Sequence, residues 1–324
     1  VRRITRTASL NKKVRPQLPK SGKRVGSFFK QHDMKRIFLF LFLCVSFAGS
    51  AQKYALDKNF NTDGYWFSKL PGDDRGYDVG VQADGKIVTA GGIGQLSDPS
   101  DARCIVTRLN ADGSPDAAFG NNGTVEFKFD NQSSIAYALD IQTDGKIVIV
   151  ARVATERIGV ARLLPDGKFD TGFHKTGTHV LPVPTLYFES DETPMDITHQ
   201  EDGKIVVAFS SYPIGTAFSV ATVVRLLDDG EMDNSFSLDG IAYGDVLSIT
   251  QDVVSGVKCY KDLIYVCGYA NIYGTINFTL YRFKSDGSLD TGFDTDGIVA
   301  GPEGKCSDMG VQSTGRPILA GYTT

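Results

Sequence analysis

Histidine, cysteine and helical periodicity are all scarce in this sequence. Only three histidines, His174, His179 and His199, follow the first 51 residues, and none lies on the helical segment that a His-x-x-x-His metal site requires. A Gly-x-Ser-x-Gly nucleophile motif and a phosphate-binding loop are absent as well. No segment after residue 51 has a convincing period of 3.6 residues, so the sequence predicts an all-β fold.

Four cysteines follow the first 51 residues, and they predict no obligatory disulfide framework. Cys259 and Cys267 are the only two that are close in sequence. If residues 261–262 form a two-residue turn, these two cysteines are about three residues out of register across the hairpin. We therefore interpret them, with Cys104 and Cys306, as structural residues.

Basic residues are concentrated at the N-terminus. Residues 1–51 contain 12 of the 34 Lys and Arg residues and one of the 38 Asp and Glu residues, which leaves residues 52–324 with a net charge of −15. An acidic surface of this kind argues against a nucleic-acid partner.

Residues 34–51 have the composition of a signal peptide. A short basic segment precedes an apolar run from Ile37, and small residues lead to Ala51. The run is too short for a comfortable transmembrane helix, so we expect cleavage, no membrane span afterwards, and a secreted or cell-surface protein. We interpret residues 1–33 as a basic upstream extension that is not native, and residues 52–324 as the repeat domain.

One phrase, Asp-Gly-Lys-Ile-Val, recurs along this domain. It begins at Asp84, Asp144 and Asp202. Two degenerate copies follow, with Lys261 and Thr314 at the position of the Asp, and successive copies are 53 to 60 residues apart. Asp-Gly between two runs rich in Val, Ile and Thr indicates a β-hairpin, because the turn needs positive φ.

A second phrase, Asp-x-x-Phe-x-x-x-Gly, occurs five times. Its copies begin at Asp57, Asp116, Asp170, Asp233 and Asp290. The last four are preceded, eight residues earlier, by Arg108, Arg162, Arg225 and Arg282. This spacing predicts bidentate Arg–Asp pairs that tie the third strand of each unit to the loop after it, which is a structural role.

Each unit has four short runs of strand character, such as YDVGVQ, KIVTAGG, CIVTRLN and TVEFKF in the first full unit. A lone four-stranded sheet cannot bury both faces, whereas tandem sheets around an axis bury each face on a neighbour. We predict a β-propeller of four-stranded antiparallel blades, with about five repeats, the last one incomplete. A β-helix or a row of hairpins is the alternative.

The phrases RLNADGSPDAAFG, RLLPDGKFDTGFH and RFKSDGSLDTGFD resemble the delta-60 repeat of secreted and cell-surface bacterial proteins. The resemblance extends over roughly Leu56 to Thr324. It implies a propeller-like β fold and an exported protein, and it implies no activity, because this family shares no catalytic residues.

The domain begins and ends within a unit. Asp57–Gly64 and the following YWFSKL resemble the last-strand part of a unit, and MGVQSTGRPILAGYTT resembles the first two strands of another. Together they would form a fifth blade without its third strand. We expect either a truncation after Thr324 or closure through a three-stranded blade.

The repeated phrases share one end of the predicted propeller, which we call the repeat face, because loops 1–2 and 3–4 of an antiparallel blade emerge together. Loops 2–3 and 4–1 form the opposite end, the loop face, where the copies differ and where repeat scaffolds carry function. The candidate binding residues on the loop face are Tyr187, Glu189, Asp191, Tyr212, Tyr269 and Tyr273.

An acidic position recurs near the start of the first strand. Counting six residues back from the aligned turns gives Asp78, Ala138, Asp196, Ser255 and Asp308. The three carboxylates are a candidate metal site for Ca²⁺ or another hard cation at the channel mouth. The alternative interpretation is that each Asp accepts backbone N–H bonds at its own blade edge.

Our leading functional hypothesis is a monomeric, non-enzymatic module that binds a protein or a glycan through the loop face. One alternative is a secreted carbohydrate-active hydrolase or lyase with carboxylates at the channel mouth. Another is a purely structural surface repeat protein.

Overall fold

The computed structural model describes residues 55–68, 70, 73–94, 102–154, 156–183, 195–213, 216–244, 251–272 and 274–323. The chain divides into two units, Val1–Ala55 and Leu56–Thr324, and the description below concerns the second. The predicted extension and signal peptide lie outside the described residues. Among the described residues, no helix is long and apolar enough to cross a membrane.

The described residues form eighteen strands in five sheets. Blade 1 contains β1 (Asp74–Val81), β2 (Ile87–Ile93), β3 (Arg103–Leu109) and β4 (Thr124–Phe127). Blade 2 contains β5 (Ser134–Ile141), β6 (Ile147–Val153), β7 (Arg157–Leu163) and β8 (Thr178–Val180). Blade 3 contains β9 (Met195–His199), β10 (Ile205–Ser211), β11 (Val220–Leu226) and β12 (Ile241–Tyr243). Blade 4 contains β13 (Gln251–Tyr260), β14 (Leu263–Ile272), β15 (Thr275–Phe283) and β16 (Ile298–Glu303). Half-blade 5 contains β17 (Lys305–Val311) and β18 (Pro317–Tyr322).

Every sheet is an antiparallel meander in which neighbouring strands follow one another in the chain. The predicted four-stranded antiparallel blades are therefore confirmed, and the β-helix alternative is wrong because a β-helix pairs its strands in parallel. The successive first strands also pack against each other, β1 on β5, β5 on β9, β9 on β13 and β13 on β17. Loops 1–2 and 3–4 emerge at one end of this array, as the repeated phrases predict.

Strand β6 shows why the second strands are continuously apolar. Ile147 and Ile149 belong to the core cluster shared with blade 1, whereas Val148 and Val150 belong to the cluster shared with blade 3. Successive side chains of a strand point to opposite faces, so a sheet buried on both faces needs apolar residues at every position. Four such clusters lie between consecutive sheets, one at each interface.

The Asp-Gly turn is a three-residue loop in which only the glycine has positive φ. The Gly85 N–H donates to the Gln82 carbonyl at 2.9 Å, and the Gln82 N–H donates to the Lys86 carbonyl at 2.8 Å. Gly85 has φ of 84°. The Asp84 side chain accepts a hydrogen bond from the Lys86 N–H at 3.1 Å, which stabilises the turn further.

In blade 4 a tighter hairpin replaces this loop. Tyr260 pairs with Leu263 across a two-residue turn, and Cys259 pairs with Ile264, as the register argument for the cysteines predicts. This hairpin is one residue shorter than the others, so counting back six residues reached the wrong position. Gly256, and not Ser255, is equivalent to Asp78, because both follow the β-bulge of the first strand.

The segment predicted as the last strand of a preceding unit forms no strand among its described residues, 65–68 and 70. The loop before it nevertheless has the predicted structure. The Phe60 N–H donates to the Asp57 carbonyl at 2.9 Å, and the Gly64 N–H donates to the Phe60 carbonyl at 2.7 Å. Among the described residues, 65–68 pair with no strand.

Candidate functional site

The repeated Arg and Asp residues form latches on the repeat face. Arg225 Nε donates to Asp233 Oδ2 at 2.8 Å, and both side chains are 4% exposed. Asp233 Oδ1 accepts the Ser235 N–H at 3.0 Å instead of a second guanidinium bond. The pairing is therefore confirmed, but it uses one carboxylate oxygen, and the prediction of bidentate pairs is wrong. The other oxygen is occupied by the turn that follows the Asp.

Two of these arginines, Arg108 and Arg162, also donate a hydrogen bond to a backbone carbonyl of the next blade. Arg162 Nη1 donates to the backbone carbonyl of Asp228 at 2.6 Å, and the guanidinium lies 5.1 Å from the centre of the Phe173 ring. Phe173 in turn packs on Gly230, where an added Cβ would lie 2.7 Å from the ring. The His174 N–H completes the contact by donating to the Asp229 carbonyl at 2.6 Å. Residues of the repeated phrases thus hydrogen-bond and pack with one another, both within a blade and between neighbouring blades.

A cavity of about 580 Å³ lies where the first strands of all five sheets meet. The predicted residues Asp78, Asp196 and Asp308 all line it. Asp140 and Lys258 line it as well, and sequence comparison of the copies missed them because each occurs in only one blade. We call this space the axial cavity.

Asp78 uses both carboxylate oxygens to bind backbone N–H groups. Oδ1 accepts from Val79 at 2.7 Å in the same strand, and Oδ2 accepts from Leu139 at 2.8 Å in blade 2. First strands are edge strands whose outward N–H groups have no ladder partner. The carboxylate therefore joins two neighbouring edges, which agrees with the structural interpretation of this position and adds a contact between blades.

Asp196 repeats the arrangement between blades 3 and 4. Oδ1 accepts the Ile197 N–H at 2.8 Å, and Oδ2 accepts the Val257 N–H at 2.8 Å and the Lys258 ammonium at 3.1 Å. Burial raises the pKa of the Asp196 carboxyl, and Lys258 opposes part of that effect. Asp308 is exposed, and its Oδ1 accepts the Met309 N–H at 2.6 Å.

A second charged contact joins blade 2 to blade 3 through Asp140, which lines the axial cavity. Asp140 Oδ2 lies 2.6 Å from His199 Nδ1. This hydrogen bond raises the pKa of the His199 imidazole above its ordinary value, although burial opposes it. Among the residues that the structure describes, no three His, Cys, Asp or Glu side chains lie close enough together to hold a metal ion.

The loop face is described in part. Tyr212 is 37% exposed in the 2–3 loop of blade 3, and Phe218, which sequence reasoning did not select, is 39% exposed in the same loop. Tyr269 is half-buried on blade 4, with Lys305 Nζ 4.5 Å from its ring centre. The other predicted residues, Tyr187, Glu189, Asp191 and Tyr273, lie outside the described residues.

Four segments of the chain match the model of a family described as "Domain of unknown function (DUF5122) beta-propeller". They comprise residues 82–119, 142–173, 200–236 and 264–293. The first three run from the Asp-Gly hairpin to the Asp-x-x-Phe phrase of a blade, and the fourth runs from the second strand of blade 4 to the same phrase. The chain is a repeat protein of the β-propeller type. No curated protein matches the sequence of this propeller.

Solved structures resemble the propeller only distantly. A glycoside hydrolase is 9% identical, with a TM-score of 0.35 over 68% of this chain and 48% of its own. The polysaccharide lyase PL25 ulvan lyase is 10% identical, with a TM-score of 0.36 over 69% and 57%. A glycoside hydrolase family 43 arabinoxylan arabinofuranohydrolase from Bacillus subtilis is 11% identical, with a TM-score of 0.36 over 78% and 66%. The propeller thus spans about half to two thirds of these chains, and at such TM-scores the likeness carries no argument about function.

Proposed function

We propose that the propeller is an exported, non-enzymatic binding module of the delta-60 type, which recognises a protein or a glycan with its loop face. Export rests on the signal-peptide composition of residues 34–51. The delta-60 assignment rests on the phrases quoted above, which, apart from the last residue of each, fall within the segments that match the propeller family.

One contrast between the two faces carries this proposal. On the repeat face, the Arg, Asp and Phe side chains are buried in contacts with one another, and Phe119, Phe173 and Phe236 are 0% exposed. On the loop face, Tyr212 and Phe218 are more than a third exposed within one loop. Aromatic side chains that reach solvent from a variable loop supply the large contact area that interface hot spots need. The three repeat-face phenylalanines offer no comparable surface.

A double variant tests the loop face. In Tyr212→Ala with Phe218→Ala, we expect binding in a glycan array or a cell-envelope protein array to fall about tenfold or more, because hot-spot truncation costs about 2 kcal/mol. Leu238→Ala is the control, since Leu238 is 91% exposed on the repeat face. Unchanged binding in the double variant, or an equal loss in the control, would reject the assignment. Absence of any ligand in both arrays would favour a purely structural repeat protein.

A second candidate function is a carbohydrate-active hydrolase or lyase, and one observation favours it. Asp196 is a carboxyl with a raised pKa at the axial cavity, beside the Lys258 ammonium. Acids with raised pKa values are the ones that donate protons near neutral pH. Against it, both oxygens of Asp196 already accept backbone N–H bonds. Turnover of a polysaccharide panel that disappears in Asp196→Asn but persists in Asp84→Asn would establish the enzyme, and no turnover by the wild type would reject it.

The Ca²⁺ hypothesis for Asp78, Asp196 and Asp308 stays a prediction. If the ion binds, the wild type melts at a higher temperature in Ca²⁺ than in EDTA, by mass action on the folded state. Replacing the three residues by Asn should remove that difference. Equal melting temperatures of the wild type in Ca²⁺ and EDTA would reject the site.

A further inference from the structure

Two buried cysteines face each other across the last blade interface. Cys267 lies on β14 of blade 4 and is 0% exposed, and Cys306 lies on β17 of half-blade 5 and is 2% exposed. Both belong to the core cluster between these two sheets, with Tyr265, Leu280 and Met309. The sequence argument about disulfides concerned Cys259 and Cys267, which are close in the chain but are not cross-strand partners.

The two thiols occupy positions whose equivalents in blades 1 and 2 share one core cluster. Cys267 pairs with Gly256, as Ala90 pairs with Asp78, so it holds the same place in its blade as Ala90. Cys306 lies immediately before the bulge of its first strand, where blade 2 has Ala136. Ala90 and Ala136 are both fully buried in the cluster between blades 1 and 2. Small side chains in a shared core require closely approaching strands, so the cysteines stand at a point of near contact between sheets.

Local geometry brings the sulfur atoms together. Gly256 has no side chain, and a Cβ there would lie 3.2 Å from Cys267 Sγ and 3.6 Å from Asp308 Oδ1. Cys306 Sγ in turn lies 3.4 Å from the Asp308 carbonyl oxygen, so Asp308 lies beside Cys306 and close to Gly256, on which Cys267 packs. A hydrogen bond between the thiols raises the pKa of Cys267 and lowers the pKa of Cys306. Cys306 is therefore the thiol that ionises first.

The other two cysteines lack such a neighbour. Burial raises the pKa of Cys104 far above its ordinary value and raises that of Cys259 to about 12. Neither shares a thiol hydrogen bond of the kind that links Cys267 to Cys306. They serve as internal controls in the same chain.

We propose that Cys267 and Cys306 form a reversible disulfide that fastens half-blade 5 to blade 4. The oxidant is a small-molecule or protein disulfide, such as oxidised glutathione. The Cys306 thiolate attacks this disulfide and releases one oxidant thiol. Cys267 then loses its proton and attacks the Cys306 sulfur of the mixed disulfide, which expels the second oxidant thiol. Two protein thiols are oxidised by two electrons, and the oxidant disulfide is reduced to two thiols.

The cross-link would join two neighbouring sheets of the fold. Blades 2 and 3 are packed on both faces, whereas half-blade 5 packs on blade 4, and Ile318 and Tyr322 on β18 are 56% and 57% exposed. Opening of this edge gives an oxidant access to Cys306. A covalent bond between Cys267 and Cys306 then limits separation of the two sheets. It also stabilises the folded state, because it restricts the conformations of the connecting chain in the unfolded state.

Peptide mapping of the full chain tests the pair directly. Trypsin places the four cysteines in separate peptides, residues 104–108, 259–261, 262–282 and 306–324. After equilibration in glutathione buffers and alkylation without reduction, we expect one cross-linked species, joining 262–282 to 306–324. We also expect the oxidised protein to melt several degrees above the protein treated with dithiothreitol. Absence of that species in the most oxidising buffer, or a cross-link through Cys104 or Cys259, would overturn the proposal.

Variants distinguish the bond from other effects of oxidation. Cys306→Ser should lose both the cross-linked species and the melting shift, whereas Cys259→Ser should keep both. If Cys306→Ser folds poorly, Cys267→Ala serves as the second variant. Hydrogen exchange in the wild type adds a local readout, because amides of β17 and β18 should exchange more slowly when the protein is oxidised. A melting shift that persists in both variants would contradict the proposal.

Discussion

Asp78 of blade 1 accepts a hydrogen bond from the backbone N–H of Leu139 in blade 2, at 2.8 Å. The carboxylate thereby satisfies an edge group of a strand 61 residues away in the chain. Asp196 has the same relationship to Val257. These contacts make the axial carboxylates part of the joint between blades.

The first prediction concerns Asp78→Asn. An amide can replace only one of the two acceptor oxygens, so its NH₂ group will face a backbone N–H, and we expect a loss of about 1–3 kcal/mol in the free energy of unfolding. Asp308→Asn is the matched control, because the Asp308 carboxylate accepts its hydrogen bond from the adjacent Met309 N–H, within the same strand. Urea denaturation measures both variants. Equal losses would show that the contact between blades contributes nothing.

The second prediction concerns the buried latches. Arg225→Met leaves the Asp233 carboxylate almost fully buried without its partner, and we expect a loss of about 3–5 kcal/mol in unfolding free energy. In the Arg282–Asp290 pair both side chains are 19% exposed, so solvent screens the remaining charge in Arg282→Met and the loss should be smaller. The same denaturation experiment compares them. A larger loss for Arg282→Met would contradict the burial argument.

The third prediction isolates the packing of Phe173. Gly230 and Gly145 have nearly equal φ of 84° and 83°, so an alanine suffers the same backbone strain, about 1–2 kcal/mol, at either position. A Cβ on Gly145 meets only Pro165, at 3.6 Å, whereas on Gly230 it meets the Phe173 ring at 2.7 Å. Gly230→Ala should therefore lose about 1–3 kcal/mol more than Gly145→Ala, the usual cost of overpacking. Thermal unfolding of the two variants tests this, and equal melting temperatures would show that the ring moves freely.

The fourth prediction concerns pH. The Asp140 contact raises the folded pKa of His199, so the folded state binds the proton more tightly than the unfolded state. The resulting stability is fully present below the unfolded pKa of about 6.5 and is lost as pH rises through the raised folded value. His199→Gln should therefore melt lower than the wild type at pH 5.5, with the difference shrinking as pH rises.

Two further groups bear on this measurement. The negative charge of Asp144 also raises the pKa of His199. Burial lowers the pKa of His179, so the contribution of His179 to the free energy of unfolding is lost as pH falls. Because His179 is present in both proteins, the difference between the wild type and His199→Gln cancels its effect. A difference in melting temperature that stays constant from pH 5.5 to 8.5 would contradict the role of the Asp140–His199 pair.

Much of the architecture could be predicted from local patterns. The continuous apolar runs such as IVIVARV, the Asp-Gly turns and the spacing of Arg162 to Asp170 all concern residues within one blade. Their partners lie within about ten residues, so a repeated spacing in the sequence corresponds to a repeated contact in space. The register that separates Cys259 from Cys267 was predictable for the same reason, because hairpin pairing follows from the turn.

The contacts between blades were not predictable in this way. Leu139, Gly230 and Cys306 meet residues of the preceding sheet through the angle and closeness at which two sheets pack, and no spacing within a repeat encodes that geometry. The one-residue shortening of the blade 4 hairpin also stayed hidden, since it moves the bulge without changing the hydrophobic pattern. The sequence alone thus determined the strands, their order and the turns, because these depend on side-chain periodicity and local backbone preference. Tertiary structure alone decided which carboxylates, glycines and thiols face each other, because that depends on how sheets distant in the chain come together.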